Sequence, residues 1–367
     1  MKKFSHLTFS SLLIISVWWI GLSGLANYIV RRFGVSPTFP YYHLIIEQAH
    51  PTQAVWAHFD GTHYLKLAEH GYVDVGTQAF FPVYPLLIRT FHLTGLSYFA
   101  AGQLISLISL VLSLICLHYL FGKCARIIIG VLLLFPTSFF LGAVYTESLF
   151  LLETLLFFLL LKQQKFFLAA LIAAIASGTR LVGALLAVSL FVSIWPMLKS
   201  RKLYLLLLPI ALTGLLSYMY FLWSRFHDPL AFIHVQSMFG AGRSSGEIIL
   251  LPQVIYRYFK IFLTVSPLTL VFGRAVLELA VFLAGLYYLW RVKFKIPVAV
   301  LVYLLGSLLL PTFSGSLSSL PRYALILLPW LISSAAKFNA KTTLYLSLSF
   351  TGLLLLFSLF VRGQFVA

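Results

Sequence analysis

Residues 7–30 read LTFSSLLIISVWWIGLSGLANYIV, an unbroken run without a charged side chain, shortly after Met1-Lys2-Lys3. About 20 apolar residues at about 1.5 Å of rise each cross the hydrocarbon of a bilayer. Gly24-Leu25-Ala26 loosely resembles a signal cleavage site, but the apolar run continues past it, so the segment reads as an anchor. Further uncharged runs lie near 98–121, 127–146, 148–161, 166–180, 181–198, 203–223, 268–290, 296–312, 322–336 and 342–361. The expectation is therefore an all-α polytopic membrane protein with about eleven transmembrane helices. The 248–290 stretch is interrupted by Arg257, Lys260, Arg274 and Glu278, and part of it is expected to lie along the interface.

Composition agrees. The chain has 367 residues, 61% hydrophobic and 10% charged, with a mean hydropathy of +0.98. Soluble domains are about a quarter charged, so a soluble enzyme, a disordered tail and a secreted disulfide scaffold are excluded. The net charge of +17 reflects 26 Lys and Arg against 9 Asp and Glu. These bases sit mostly in short turns between apolar runs. They fit topology and lipid phosphate, and no nucleic-acid partner is expected. Cys116 and Cys124 form neither a metal pattern nor a disulfide framework.

Charge asymmetry sets orientation. Lys123 and Arg126, Lys162 and Lys165, Lys199 to Lys202, Arg291 to Lys295, and Lys337 with Lys341 mark short basic turns without an acid. With Lys2 and Lys3 they define a cytoplasmic side. Glu47, Asp60, Glu69, Asp74, Asp228 and Glu247 fall in the opposite loops, where Arg31, Arg32 and Arg89 run against the rule. The expectation is a multi-pass protein of the plasma (inner) membrane, with a cytoplasmic N-terminus and an extracytoplasmic working face. The spacing from Lys165 to Lys199 leaves room for two short spans, with Arg180 at the outer turn between them.

The chain reads as one membrane domain, 1–367, with outer loops at 31–97 and 224–247. The first loop holds six of the ten histidines and four of the nine acids, too dense in functional groups for a tether. At its centre, Asp60 to His70 reads as a short interfacial helix with Asp60 as N-cap and Gly71 as C-cap. At 100° per residue, Asp60, His63, Tyr64, Leu67 and His70 share one broad face. Asp60 is then a cap, or a metal ligand with His58, His63 and His70, or a catalytic acid beside cationic partners. Ala79-Phe80-Phe81-Pro82-Val83-Tyr84-Pro85 is a turn into the next span, or an aromatic surface for a sugar ring or headgroup. Glu147, Arg180 and Arg322 sit at the ends of apolar runs, where charge is expensive: each is an anchor, a structural ion pair or a functional group.

Read together, these blocks resemble the PIG-V-type mannosyltransferases. The resemblance rests on His58-Phe59-Asp60-Gly61-Thr62-His63-Tyr64-Leu65, Gly71-Tyr72 and Ala79 to Pro85. Phe135-Pro136-Thr137-Ser138-Phe139-Phe140 and Tyr145-Thr146-Glu147-Ser148-Leu149-Phe150 follow. Thr179-Arg180-Leu181-Val182-Gly183, Asp228-Pro229-Leu230-Ala231-Phe232, Gln236 and Arg322-Tyr323 complete the series, in the family's order across most of the chain. Phe59 departs from the family, which usually has Trp before the Asp.

The resemblance implies a GT-C-like fold and a prokaryotic member of the family. It implies an inverting transfer of a hexose, mannose above all, from a polyprenyl-phosphate-sugar donor. The acceptor would be a hydroxyl of a lipid-linked or cell-envelope glycan on the outer face. Asp60 is the expected base. Arg322, Arg180, His63 and Lys66 are the expected phosphate-binding residues, and Glu147, His58, Tyr64 and Tyr84 the acceptor or sugar contacts. Neither metal nor other cofactor is expected, because a phosphodiester oxygen leaves as a stable anion and needs only cations and hydrogen-bond donors. The rival reading is a lipid or solute transporter or flippase. That class usually places its ionisable groups near the bilayer centre and shows repeat symmetry.

Overall fold

The computed structural model describes residues 2–37, 49–240, 242–333 and 340–366. Glu47 and Lys337 lie outside the described residues. All regular structure among the described residues is helical. A helix satisfies its own backbone polar groups, and these leucine-, alanine- and phenylalanine-rich runs have no polar surface with which to satisfy them otherwise. Among the described residues, five helical stretches are long and apolar enough to cross a membrane: His6–Phe33, Tyr98–Leu134, Lys202–Phe226, Leu270–Val292 and Thr342–Val361. Four shorter apolar stretches, Phe166–Thr179, Leu181–Met197, Val298–Ser314 and Leu320–Ser333, accompany them. Leu12, Val17 and Ile20 stand open to the surroundings, at 49%, 66% and 63% exposure, as suits a helix facing lipid.

The expected span at 127–146 comes out differently. The run at 127–146 is not one helix: Ala125–Leu134 ends at Phe135, whose φ of −61° and ψ of 142° leave the helical region. Pro136 follows and disfavours helical geometry in the residue before it. A 3-10 turn, Ser138–Leu141, takes up the chain. The interrupted 248–290 stretch resolves into Leu251–Thr264 (14 residues) and Leu270–Val292 (23 residues). The first is too short to span and is amphipathic, turning Tyr256, Phe259 and Leu263 outward and Val254 and Tyr258 inward.

The chain forms two compact units. The first comprises Met1–Gly71, Val83–Leu155 and Ala335–Val366. Its core is aromatic: Trp56 lies 5.2 Å from Phe357, and Phe139 lies 4.9 Å from Phe360, ring centre to ring centre. Hydrogen bonds stitch distant segments around this cluster. The Val144 N–H donates to the Trp56 carbonyl at 2.9 Å, and the Trp18 indole N–H to the Leu133 carbonyl at 2.9 Å.

The second unit comprises Tyr72–Pro82 and Leu156–Ser334. Here the Phe166–Thr179 and Leu207–Phe226 helices meet along small residues. A side chain on Gly214 would run into the Ala174 carbonyl and the Gly178 backbone. Without water to expel, such close approach is how helices adhere in a bilayer. Ser177 adds a tie, its hydroxyl accepting the Leu215 N–H at 3.2 Å. Phe81 packs with Tyr218, Leu222, Ala231 and Phe232. Phe80 and Phe81 are only 6% and 5% exposed, so this part of the proline-punctuated stretch is core and not an open aromatic surface.

Candidate functional site

In the first unit, the helix Asp60–His70 presents the richest set of polar groups. Its N-cap is Phe59, at φ 57° and ψ −116°, and Asp60 is the first helical residue. This corrects the expectation that Asp60 caps. A positive φ in an aromatic residue is strained and needs support from its surroundings. Phe59 has it: its ring lies 5.9 Å from that of Phe360 and 5.4 Å from that of Phe365. Gly71 closes the helix as expected, with its N–H on the Leu67 carbonyl.

The faces of this helix also differ from the expected ones. Gly61, Thr62, Tyr64, Leu65, Leu67 and Ala68 are buried, while Asp60, His63, Lys66 and Glu69 are half-buried. At a spacing of three, the latter form one slowly winding stripe. A carboxylate at its start, near the positive end of the helix dipole, is followed by an imidazole and an ammonium. Tyr64 and Leu67, although close to Asp60 on the helical wheel, are buried and belong to the core-facing side.

That core-facing side carries the next block. Gly61 approaches closely enough that a Cβ there would sit 3.2 Å from the Val144 carbonyl oxygen. The Tyr145 hydroxyl donates to the His58 carbonyl at 2.7 Å. The Tyr64 hydroxyl lies 3.5 Å from the Thr146 hydroxyl, and its ring meets Tyr84 edge-on at 5.2 Å. The 58–65 and 145–148 blocks, far apart in sequence, are thus packed together. Glu147 follows, 1% exposed, as the first residue of the helix Glu147–Lys162. A buried carboxylate there lies among unsatisfied helix N–H groups and at the favourable end of the dipole.

Two expected sugar contacts are core residues. His58 is fully buried, and its Nδ1–H donates to the Phe360 carbonyl at 2.9 Å. Burial lowers its pKa to about 4, so the ring is neutral. Tyr84 is fully buried, with its hydroxyl donating to the Gly102 carbonyl at 3.0 Å and lying 2.9 Å from the Ser106 hydroxyl. Burial raises its pKa, and the nearby Tyr64 and Glu147 push it further in the same direction. Among the described residues, no three His, Cys, Asp or Glu side chains come together as a metal-ligand set.

In the second unit, Arg180 ends the Phe166–Thr179 helix in extended geometry, φ −155° and ψ 148°. Its guanidinium lies 4.4 Å from the centre of the Tyr323 ring. The Arg322 guanidinium lies 5.3 Å from that ring, on a residue 5% exposed. Two of the four expected phosphate-binding residues therefore share one aromatic spacer.

The loop before Arg322 is tied down by residues to which the sequence assigned no site role. Arg257 Nη1 donates to the carbonyls of Gly242 and Gly315, each at 2.9 Å. The Tyr258 hydroxyl accepts the Leu317 N–H at 3.0 Å and donates to Glu278. Arg243 reaches Gln236 at 3.3 Å and the Ser319 hydroxyl at 3.5 Å. Arg257 and Glu278 were marked only by their charge inside an otherwise apolar stretch. Asp228 is a local brace: one oxygen accepts the Leu230 N–H at 3.0 Å, the other lies 2.7 Å from His234 Nδ1. No protein-family model matches the chain, and no curated protein matches it either.

Proposed function

We propose that this protein is a membrane glycosyltransferase that moves a hexose, mannose in the simplest case, from a polyprenyl-phosphate carrier to a hydroxyl of a lipid-linked or cell-envelope acceptor. The observation that carries the reading is the pair Arg180 and Arg322 on one tyrosine ring. Two guanidinium groups so placed offer the forked donors that a phosphate takes. The Asp60, His63 and Lys66 stripe supports it from the first unit, with a carboxylate suited to take a proton.

In the proposed reaction, the acceptor oxygen attacks the anomeric carbon as Asp60 takes its proton. The bond from that carbon to the phosphate oxygen breaks, its electron pair leaves with the polyprenyl phosphate, and the configuration inverts. Arg322 and Arg180 hold the leaving phosphate, His63 and Lys66 add hydrogen-bond donors for it, and Glu147 orders the acceptor side. The reading brings with it a GT-C-like arrangement of about eleven spans, with the N-terminus in the cytoplasm and the 31–97 loop outside. The test is incubation of the purified protein with radiolabelled polyprenyl-phosphate-mannose and membrane lipid extract. A new labelled glycolipid supports the proposal. No transfer to lipid or glycan, with donor intact, rejects it.

A further inference from the structure

The first unit holds a half-open cavity of about 480 Å³ between the Lys2–Phe33 helix, the start of the Tyr98–Phe121 helix and the short segment around Thr52 to Trp56. Its size is that of an ordinary ligand pocket. Most of its wall is apolar, with Trp56, Phe99, Ala100 and Leu104 among the lining residues. Three polar atoms buried in its wall have no hydrogen-bond partner among the described residues: Trp19 Nε1, Ser23 Oγ and Gln103 Oε1. Native proteins rarely leave such atoms unsatisfied without a water or ligand to complete them.

Gln103 is the strongest of the three. It is 7% exposed. Its Nε2 donates to the Gly142 carbonyl. A carbonyl can only accept, so the amide orientation is fixed and Oε1 is left as the acceptor. Trp19 supplies a donor and Ser23 a hydroxyl that does either. Ser23 lies ten residues before the end of its helix and Gln103 five residues into its own, so these atoms sit about 15 Å and about 8 Å below the helix ends. None of the described lining residues is ionisable, so a phosphate or ammonium brought here would lack a counter-charge.

We infer that this cavity binds an uncharged lipid whose polar end carries a hydroxyl, the hydroxyl bonding to Gln103, Ser23 and Trp19 and the chain lying along the apolar wall. A hydroxyl both donates and accepts, as the three atoms together require, and a chain fits the rest of the lining. The inference does not depend on the transferase reading.

The probe is a diacylglycerol with a dibrominated acyl chain, titrated into the purified full-length protein in phosphatidylcholine nanodiscs. Bromine quenches nearby tryptophan, and the Trp19 and Trp56 rings lie 6.2 Å apart at the cavity wall. Saturable quenching is expected, about fivefold weaker in affinity for Ser23→Ala and for Trp19→Phe, each of which removes one hydrogen bond. Ala100→Phe fills the cavity and is expected to abolish it. The dibrominated methyl ester, which has no hydroxyl, and the dibrominated phosphatidic acid, which is charged, are expected to bind at least fivefold more weakly. Circular dichroism checks that each variant keeps its helices. Should Ala100→Phe disrupt folding, Ser23→Ala alone decides, since it deletes a single oxygen. Equal quenching by the methyl ester or by phosphatidic acid, or an unchanged affinity in Ser23→Ala, overturns the inference.

Discussion

The guanidinium groups of Arg180 and Arg322 both lie against the ring of Tyr323, at 4.4 Å and 5.3 Å from its centre. The electron-rich face of an aromatic ring attracts a cation, so one tyrosine holds two like charges near each other. An anion bound there would gain from both. Arg322→Ala should weaken binding of the polyprenyl-phosphate donor about tenfold or more, the worth of a charge-assisted contact of about 1.5–3 kcal/mol. Lys at that position should restore part of the affinity, keeping the charge but losing the planar fork. Tyr323→Leu should cost less, because it loosens the pair without removing either charge. Donor affinity unchanged in Arg322→Ala would move the phosphate site elsewhere, with Arg180 the next residue to test.

Tyr258 offers a second test, through the loop that leads to Arg322. Its hydroxyl serves both the Glu278 carboxylate and the Leu317 N–H, and it is 4% exposed itself. Tyr258→Phe keeps the ring and strips both bonds. Leaving buried polar groups short of a partner costs about 1–3 kcal/mol. A lower unfolding temperature is expected in nanodiscs, together with weaker donor binding if this loop sets the position of Arg322. An unchanged unfolding temperature would show that the two bonds contribute little.

Much of the helical architecture was legible because composition leaves no alternative: residues 7–30 can only be a lipid-facing helix, and a glycine after His70 can only mark an end. Other features depend on contacts that sequence does not display. Phe59 gives no sign that it adopts a positive φ, because the rings of Phe360 and Phe365 that support it are far away in sequence. His58 stands beside an acid and reads as functional, until the Phe360 carbonyl, 302 residues later, claims its ring nitrogen. Asp60 and Leu67 lie only about 20° apart on the helical wheel, and only the packing of Val144 and Tyr145 against Gly61 decides which side is core. Arg257 was noticed as an interruption of an apolar run, whereas its role comes from two backbone carbonyls brought to it by distant turns.

The buried His58 predicts a stability that depends on pH. Its pKa is about 4 when folded, against 6.5 for an exposed histidine. Below pH 6.5 the unfolded chain takes up a proton that the folded chain refuses. Stability from this residue is therefore full above about pH 6.5 and declines as pH falls towards about 4. The loss amounts to about 3 kcal/mol by the lower end. Thermal unfolding across that window should show the decline, and His58→Phe should flatten it. An identical pH dependence in the variant would assign the effect to another group.

Topology has a direct test at Val75. The residue is 77% exposed, whereas its neighbour Thr77 is 3% exposed and hydrogen-bonded to the Asp74 carbonyl at 2.6 Å. Val75→Cys, in a chain with Cys116→Ser and Cys124→Ser, should react with a membrane-impermeant maleimide in intact cells. Labelling confined to lysed cells would put this loop in the cytoplasm and remove the case for a lipid-linked donor on the outer face.

Asp60 carries the proposed chemistry, and its place in the helix makes the substitution informative. Phe59, not Asp60, is the N-cap, and the Asp60 side chain is half-buried on the same stripe as His63 and Lys66. Asp60→Asn therefore leaves the N-cap residue in place and keeps the shape of the side chain. The attraction between a carboxylate and the helix N-terminus that it forfeits is about 0.3–1 kcal/mol. A general base, by contrast, contributes about 10²–10⁴-fold to a rate. The variant should insert, keep its helices and bind donor, yet transfer sugar at least about a hundredfold more slowly. Asp60→Glu should recover part of the rate, because the carboxylate returns one methylene out of place. Turnover near normal in Asp60→Asn would end its candidacy as base. Glu69 would come next, since it lies half-buried on the same stripe.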